Sequence, residues 1–348
     1  MPGLITPPGL FGPVSISRSR RVMTRDSFVD TYMPAGLTLD SATATGLAFL
    51  QGELEKLDPT MHEPMTNVTW QEDIVARTGG GWNLYSSAFF NDFGSPNNAA
   101  PAGTQSNVIP MVEANLSKDI WPLFAWKRQF QVDYVDQALL QQIGRSLESL
   151  LNDAVRLAWN KWLDMLVHTG LPDEGITGLI NSTVVTSSTA AAGASGLTTW
   201  AGKVPNEILA DIDTVLMNTV VASEYDRTGM ADTIMIPWNQ WTQIRAPMTV
   251  AGATSIYEYV MKNNVANDYI GRQLTIVPRR WCAGAGVGPS DRMFAYVNRE
   301  ERVRFDMTVP LARIQSYPFA GKYVSIFAGQ AGQVQWLYPQ TAYALDGI

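Results

Sequence analysis

The chain has 348 residues, with 25 lysines and arginines against 32 aspartates and glutamates, for a net charge of −7. That acidic balance argues against a dedicated nucleic-acid binder, and the single cysteine, Cys282, excludes an intrachain disulfide framework or a cysteine-rich metal site. Charged residues make up only 16%, while 11 Trp, 12 Tyr and 12 Phe are plentiful; such aromatics serve either a large core or contact with other proteins.

Met1-Pro2-Gly3-Leu4 opens without the basic head and apolar run of a secretory signal. No apolar stretch approaches the roughly 18 residues of a membrane span. Residues 1–36 hold five prolines and read as an extended arm. Within it Arg18, Arg20, Arg21 and Arg25 form a basic cluster. The cluster reads as a contact to nucleic acid or to an acidic neighbouring chain, or as a solvated arm, which its setting favours. Ala44, Leu47, Ala48, Leu50, Leu54 and Leu57 give a short helix that Asp58-Pro59 stops.

Residues 65–78 alternate like a strand, and Gly79-Gly80-Gly81 breaks it. Residues 82–107 are rich in Asn, Ser, Gly, Ala and Pro, with Trp82, Tyr85, Phe89, Phe90 and Phe93 set among them. The stretch is too aromatic for a free linker and too glycine-rich for a core element. It reads as a projecting loop whose aromatics dock on something else, or pack within their own hairpin. A second strand-like run, 108–134, completes an extended hairpin.

Asp133 and Asp136 start the longest helix, with Val135, Leu139, Leu140, Ile143, Leu147, Leu150, Leu151, Ala154, Ala158, Trp162, Met165 and Leu166 at three- and four-residue intervals. About 35 residues at 1.5 Å each give a rod of about 50 Å. Gly170 and Pro172 end it near Thr169. Residues 181–200 read as strand and exposed loop. A helix over 206–221, a strand over 233–237, short helices near Trp241 and over 255–263, and a strand over 274–278 form an α/β lobe, 201–290. Further strands are expected over 293–298, 303–307, 323–328 and 334–338, and no internal repeat is evident.

Chemistry-bearing patterns are few. His62 lies beside Glu63, but no further ligands stand at metal spacing; His168 falls in the last turn of the long helix, where a cationic ring suits the dipole. Gly284-Ala285-Gly286-Val287-Gly288 is similar in outline to a dinucleotide loop. Pro289 replaces the last glycine, and a strand rather than a helix follows. Asp211 and Asp213 are two apart on a helix and point to different sides, so they form no catalytic pair. No catalytic, cofactor or metal residue is assigned.

Glu174-Gly175-Ile176-Thr177-Gly178-Leu179-Ile180-Asn181, followed by Val184, resembles the post-helix turn of a subgroup of the major capsid proteins of tailed double-stranded DNA phages, of the Hong Kong 97 type. Ser255-Ile256-Tyr257-Glu258-Tyr259-Val260 resembles the family's second-lobe helix, and Arg292-Met293-Phe294-Ala295-Tyr296 and Asp346-Gly347-Ile348 its closing strands. The likeness runs from about residue 65 onward. It implies an α+β fold: arm and short helix (1–64), extended loop and flanking strands (65–132), spine helix and peripheral domain (133–200), axial domain (201–290) and closing strands (291–348).

The resemblance also implies pentamers and hexamers forming an icosahedral head, assembled in the host bacterial cytoplasm. Portal, scaffold and possible decoration proteins are implied partners; contact with the packaged DNA is weak and non-specific, and no membrane is involved. Some shells of this type weld themselves through a lysine on the extended loop. Residues 79–107 contain neither Lys nor Arg, so a non-covalent shell is expected. The arm is short for a fused coiled-coil scaffold, so any scaffold is expected to be separate. A nanocompartment shell of the same fold, a soluble enzyme with an unrecognised site, and a tail or adhesin protein are the competing readings.

Overall fold

The computed structural model describes residues 66–94, 113–142, 147–249 and 252–348. The arm arginines 18, 20, 21 and 25, the short helix before Asp58 and His62 lie outside the described residues. In chain order come α1 (Trp70–Asp73), β1 (Ala76–Thr78), β2 (Tyr85–Gly94), β3 (Glu113–Asp133), α2 (Tyr134–Gln142), α3 (Leu147–His168) and β4 (Thr186–Thr189). Then follow α4 (Pro205–Ala222), β5 (Thr233–Ile236), α5 (Trp238–Ile244), β6 (Pro247–Thr249), β7 (Gly252–Ser255), α6 (Ile256–Lys262), α7 (Val265–Ile270) and β8 (Thr275–Pro278). β9 (Arg292–Tyr296), β10 (Val303–Met307), β11 (Val309–Phe319), β12 (Lys322–Gly332), β13 (Val334–Trp336) and β14 (Ala342–Asp346) complete the chain.

Among the described residues three sheets carry the fold, besides the β6–β7 ribbon: β1-β10-β13, β11-β12-β3-β2 and β4-β14-β9-β5-β8. The last is mixed, with β5–β8 and β14–β4 parallel and β9 antiparallel to both β5 and β14. It draws β4, β9 and β14 from outside residues 201–290.

Two cores lie on its opposite faces. Successive strand side chains point to opposite sides, so Phe294 and Tyr296 of β9 and Ala342 and Ala344 of β14 join one core, while Met293, Ala295, Tyr343 and Leu345 join the other. The first core packs Val155, Trp159, Leu163, Leu166 and Val167 of α3 against Phe130 and Val132 of β3 and Phe327 of β12. Burying each such side chain contributes about 1.5–3 kcal/mol before entropy is counted. The second packs Ile208, Ile212, Val215 and Leu216 of α4 against Ile234 and Ile236.

The turn after α3 explains the 174–181 motif. Gly170 has φ +73, and a side chain there would meet the Ile176 carbonyl. The amides of Leu179 and Ile180 donate to the carbonyls of Val167 (2.7 Å) and His168 (3.1 Å), satisfying the open end of the helix. Asn181 Oδ1 accepts from Gly178 N at 2.7 Å and its Nδ2 donates to Thr169 O at 2.8 Å. A Cβ on Gly178 would lie 2.5 Å from the His168 carbonyl carbon. Leu179 and Ile180 are thereby driven into the first core.

A buried ionic knot ties α1, α3 and the segment after β8 together. Asp164 Oδ1 accepts the amides of Thr69 (3.0 Å) and Trp70 (3.1 Å), and its Oδ2 accepts from Arg280 (2.8 Å) and Trp281 Nε1 (3.0 Å). Asp73 accepts from Arg279 Nε (2.7 Å) and pairs with His168 Nε2 at 2.9 Å. Burial alone would raise the Asp73 pKa; hydrogen bonds from His168 and Arg279 outweigh it and hold the carboxyl below its usual range. The His168 ring stacks on Trp281, and Nδ1 lies 2.7 Å from the Asp164 carbonyl. His168 is therefore a buried structural residue, both ring nitrogens engaged, rather than a side chain at an open helix end.

Several expectations change. Of the expected strand 65–78, residues 66–78 form α1 and the three-residue β1 instead, and the first strand of the hairpin is 85–94. Of the long helix expected from Asp133, α2 and α3 are described, and residues 143–146 that would join them lie outside the described residues. Asp133 Oδ1 does cap it, accepting from Val135 N at 2.9 Å. β11 and α7 add to the expected elements. β11 contains Pro310 and Pro318, which an edge strand tolerates because its outward groups need no ladder partner.

Candidate inter-subunit interface

β3 has 21 residues and serves two partners in turn. Residues 123–133 pair antiparallel with β12, and residues 113–122 with β2. At the changeover Leu123 N donates to Leu84 O (3.1 Å) while Pro122 O accepts from Gln333 N (3.4 Å). One peptide group points its two ends opposite ways, so β2 and β12 flank β3 on opposite sides. Beyond Pro122 the hairpin continues as a two-stranded ribbon, a form only marginally stable in water without cover.

The register sorts its side chains. Cross-strand partners share a face, and the pairs Tyr85↔Pro122, Ser87↔Ile120, Phe89↔Lys118 and Asn91↔Leu116 share one. On it Tyr85 is 64% exposed, Phe89 65%, Leu116 70% and Ile120 55%. Lys118 Nζ lies 5.6 Å over the Phe89 ring. The opposite face carries Ser86, Ala88 and Phe90, all half-buried; Phe90 meets Tyr338 edge-on at 6.4 Å.

Of the five sequence-selected aromatics, Trp82, Tyr85 and Phe89 are therefore uncovered and Phe90 packs on its own chain. The Phe93 backbone pairs with Ala114, and its side chain lies outside the described residues. Sequence reasoning missed Leu116 and Ile120; the alternation Leu116-x-Lys118-x-Ile120 was their only local signal. It also placed the lysine-free stretch too narrowly, since Lys118 stands on the hairpin's second strand.

The base of the hairpin is fastened by side chains. Asp306 of β10 accepts from Arg77 Nε and Nη2 (both 3.0 Å), Gln335 Nε2 (2.8 Å) and the Ser86 hydroxyl. Burial alone would raise its pKa; the bonds from Ser86, Arg77 and Gln335 prevail and keep the carboxyl below its usual range. Gln330 Oε1 accepts from Asn83 N (3.1 Å) and Thr308 (3.0 Å), and its Nε2 donates to Asn83 O, imitating a ladder rung.

Nothing comparable suggests chemistry. Among the described residues no three His, Cys, Asp or Glu side chains converge on a metal position. Gly284–Gly288 closes as a loop, Gly284 N donating to Asp291 Oδ1 (3.0 Å) and Gly286 N to Ser290 O (2.8 Å). Asp211 is buried, accepting from Trp200 Nε1 at 2.9 Å, while Asp213 is exposed.

The model of the major capsid protein family matches residues 97–348. The chain belongs to that family. This capsid protein has the Hong Kong 97 type fold, of the α+β class, and it is a structural shell protein rather than an enzyme. The capsid of Myoviridae phage XM1 superposes with a TM-score of 0.71 at 16% identity, covering 90% of this chain and 100% of that one. The capsid of the native GTA particle gives 0.59 at 11%, covering 89% and 99%, and that of Microbacterium phage Oxtober96 gives 0.52 at 12%, covering 86% and 94%. At such identities the likeness is one of fold. No curated protein matches the sequence. No helix among the described residues is long and apolar enough to cross a membrane.

Proposed function

We propose that copies of this capsid protein form the pentamers and hexamers of an icosahedral phage head around double-stranded DNA, assembled in the host bacterial cytoplasm. The observation that carries this reading is the uncovered apolar face of the hairpin: Tyr85, Phe89, Leu116 and Ile120 face solvent in a single chain. Burying that face between copies removes apolar area from water and gives the ribbon a cover that the described residues do not supply. Trp82 joins the same docking surface.

In this reading residues 1–64 are a clasping arm and 65–132 the extended loop with its flanking strands. Residues 133–200 are the spine and peripheral domain, 201–290 the axial domain and 291–348 the strands that close both. Portal, scaffold and decoration proteins complete the particle. The acidic balance of the chain keeps DNA contact weak and independent of sequence. The shell is non-covalent, with Lys118 held over Phe89 as a cation on an aromatic face; boiled particles run as monomer, and a ladder of high bands overturns that point.

Negative-stain microscopy of the purified protein, with size-exclusion chromatography, tests the whole reading. Closed shells, tubes or capsomers are expected, if need be after coexpression with neighbouring genes. A stable monomer or dimer under both conditions overturns it.

A further inference from the structure

β3 carries the docking face at one end and a second uncovered site at the other. Where β3 passes into α2, Val132, Tyr134, Gln137, Glu148 and Tyr323 line an open pocket. Tyr134 is 48% exposed, and exposed Val135 and Phe319 stand near it, the turn before β12 being tied to Tyr134 through Gly321 O. The pocket thus offers two tyrosines, an apolar rim and a carboxylate. Asp133, between the lining residues Val132 and Tyr134, stands opposite Lys322 in the β3–β12 register, and Arg313 holds Glu148 at 2.9 Å. Aromatic walls with a carboxylate are the chemistry that takes up an ammonium group on an apolar stem.

The hairpin presents that group. Lys118 has no ion-pair partner among the described residues and rises between Phe89, Leu116 and Ile120. Lys118 and Val132 are fourteen residues apart on one strand, about 45 Å along it. One chain's knob therefore cannot fill its own pocket.

The geometry points to a head-to-tail contact in which the Phe89–Lys118 knob of one copy seats in the Tyr134–Glu148–Tyr323 pocket of the next. This rests on the proposed hairpin docking and adds its receiving site. Such a contact uses two different surfaces, so every copy keeps one of each free, and the contact propagates until a ring closes.

Two full-length variants test it. One carries Phe89→Ser and Lys118→Glu, which spoil the knob; the other Glu148→Lys and Tyr323→Ser, which spoil the pocket. Circular dichroism melts establish that each folds; if the pocket pair fails to fold, Tyr134→Ser alone replaces it. Each alone is expected to stay monomeric in analytical ultracentrifugation. The equimolar mixture is expected to give a discrete heterodimer, because one intact knob meets one intact pocket. If the pocket variant assembles like the unaltered chain, or the mixture stays monomeric, the receiving site is wrong. If the knob variant assembles normally, the hairpin docking itself fails, which is distinct from failure of the pocket alone.

Discussion

The turn after α3 and the hairpin of β2 and β3 are opposite cases in one chain. In the turn, Leu179 is fully buried and Ile180 is 1% exposed, and the carbonyls at the end of the helix find their donors only a dozen residues further along. In the hairpin, apolar side chains lie open on a ribbon with no third strand among the described residues. The turn has its partners within the chain. Among the described residues the hairpin lacks them, and in the proposed assembly another copy supplies them. Apolar exposure in a shell protein therefore marks where the molecule is unfinished rather than where it is weak.

Substitutions separate the two regions, the largest effect coming from the interior. Asp164→Ala strands Arg280 and leaves the Thr69 and Trp70 amides without an acceptor; a loss of about 3–5 kcal/mol is expected in denaturant titration. Gly178→Ala forces a methyl against the His168 backbone and should cost about 1–3 kcal/mol, seen as a lowered Tm.

Asp306→Asn loosens the hairpin base by about 1.5–3 kcal/mol at neutral pH. Because the folded-state pKa of Asp306 is depressed, its contribution is present above the ordinary aspartate value of about 3.9 and is lost as pH falls through the lower folded value. The stability difference between the variant and the unaltered chain should therefore shrink on acidification below about pH 4; a difference that stays constant as the solution is acidified further contradicts it. Smallest of all for folding is Phe89→Ser, expected within about 0.5 kcal/mol of the unaltered monomer while shell yield collapses. A destabilised monomer with normal shells would reverse the comparison.

The periodic positions of α3 were legible because each turn repeats the same burial. The 174–181 motif was legible because its glycines and asparagine serve groups within a dozen residues. The knot around Asp73 and Asp164 was not: Asp73 meets His168 across 95 residues and Arg279 across 206, and no local pattern records such pairings. β2 was hidden by Ser, Asn and Gly, residues that weaken strand propensity yet serve a ribbon with one face exposed and the other only half-buried. Leu116 and Ile120 emerged as part of the exposed apolar face only from the register, since a face belongs to two strands at once. Phe89 and Phe90 could not be told apart for the same reason: as neighbours they look alike in sequence and point opposite ways.

The division of β3 between two partners has a mechanical consequence. A pull on the hairpin along its length reaches the body of the subunit through the β12 ladder, whose eleven register pairs lie side by side along the line of tension. They are sheared together rather than unzipped one after another, so no single rung meets the whole force. The hairpin is held like a strap, anchored along its length and strongest against a pull along the strand.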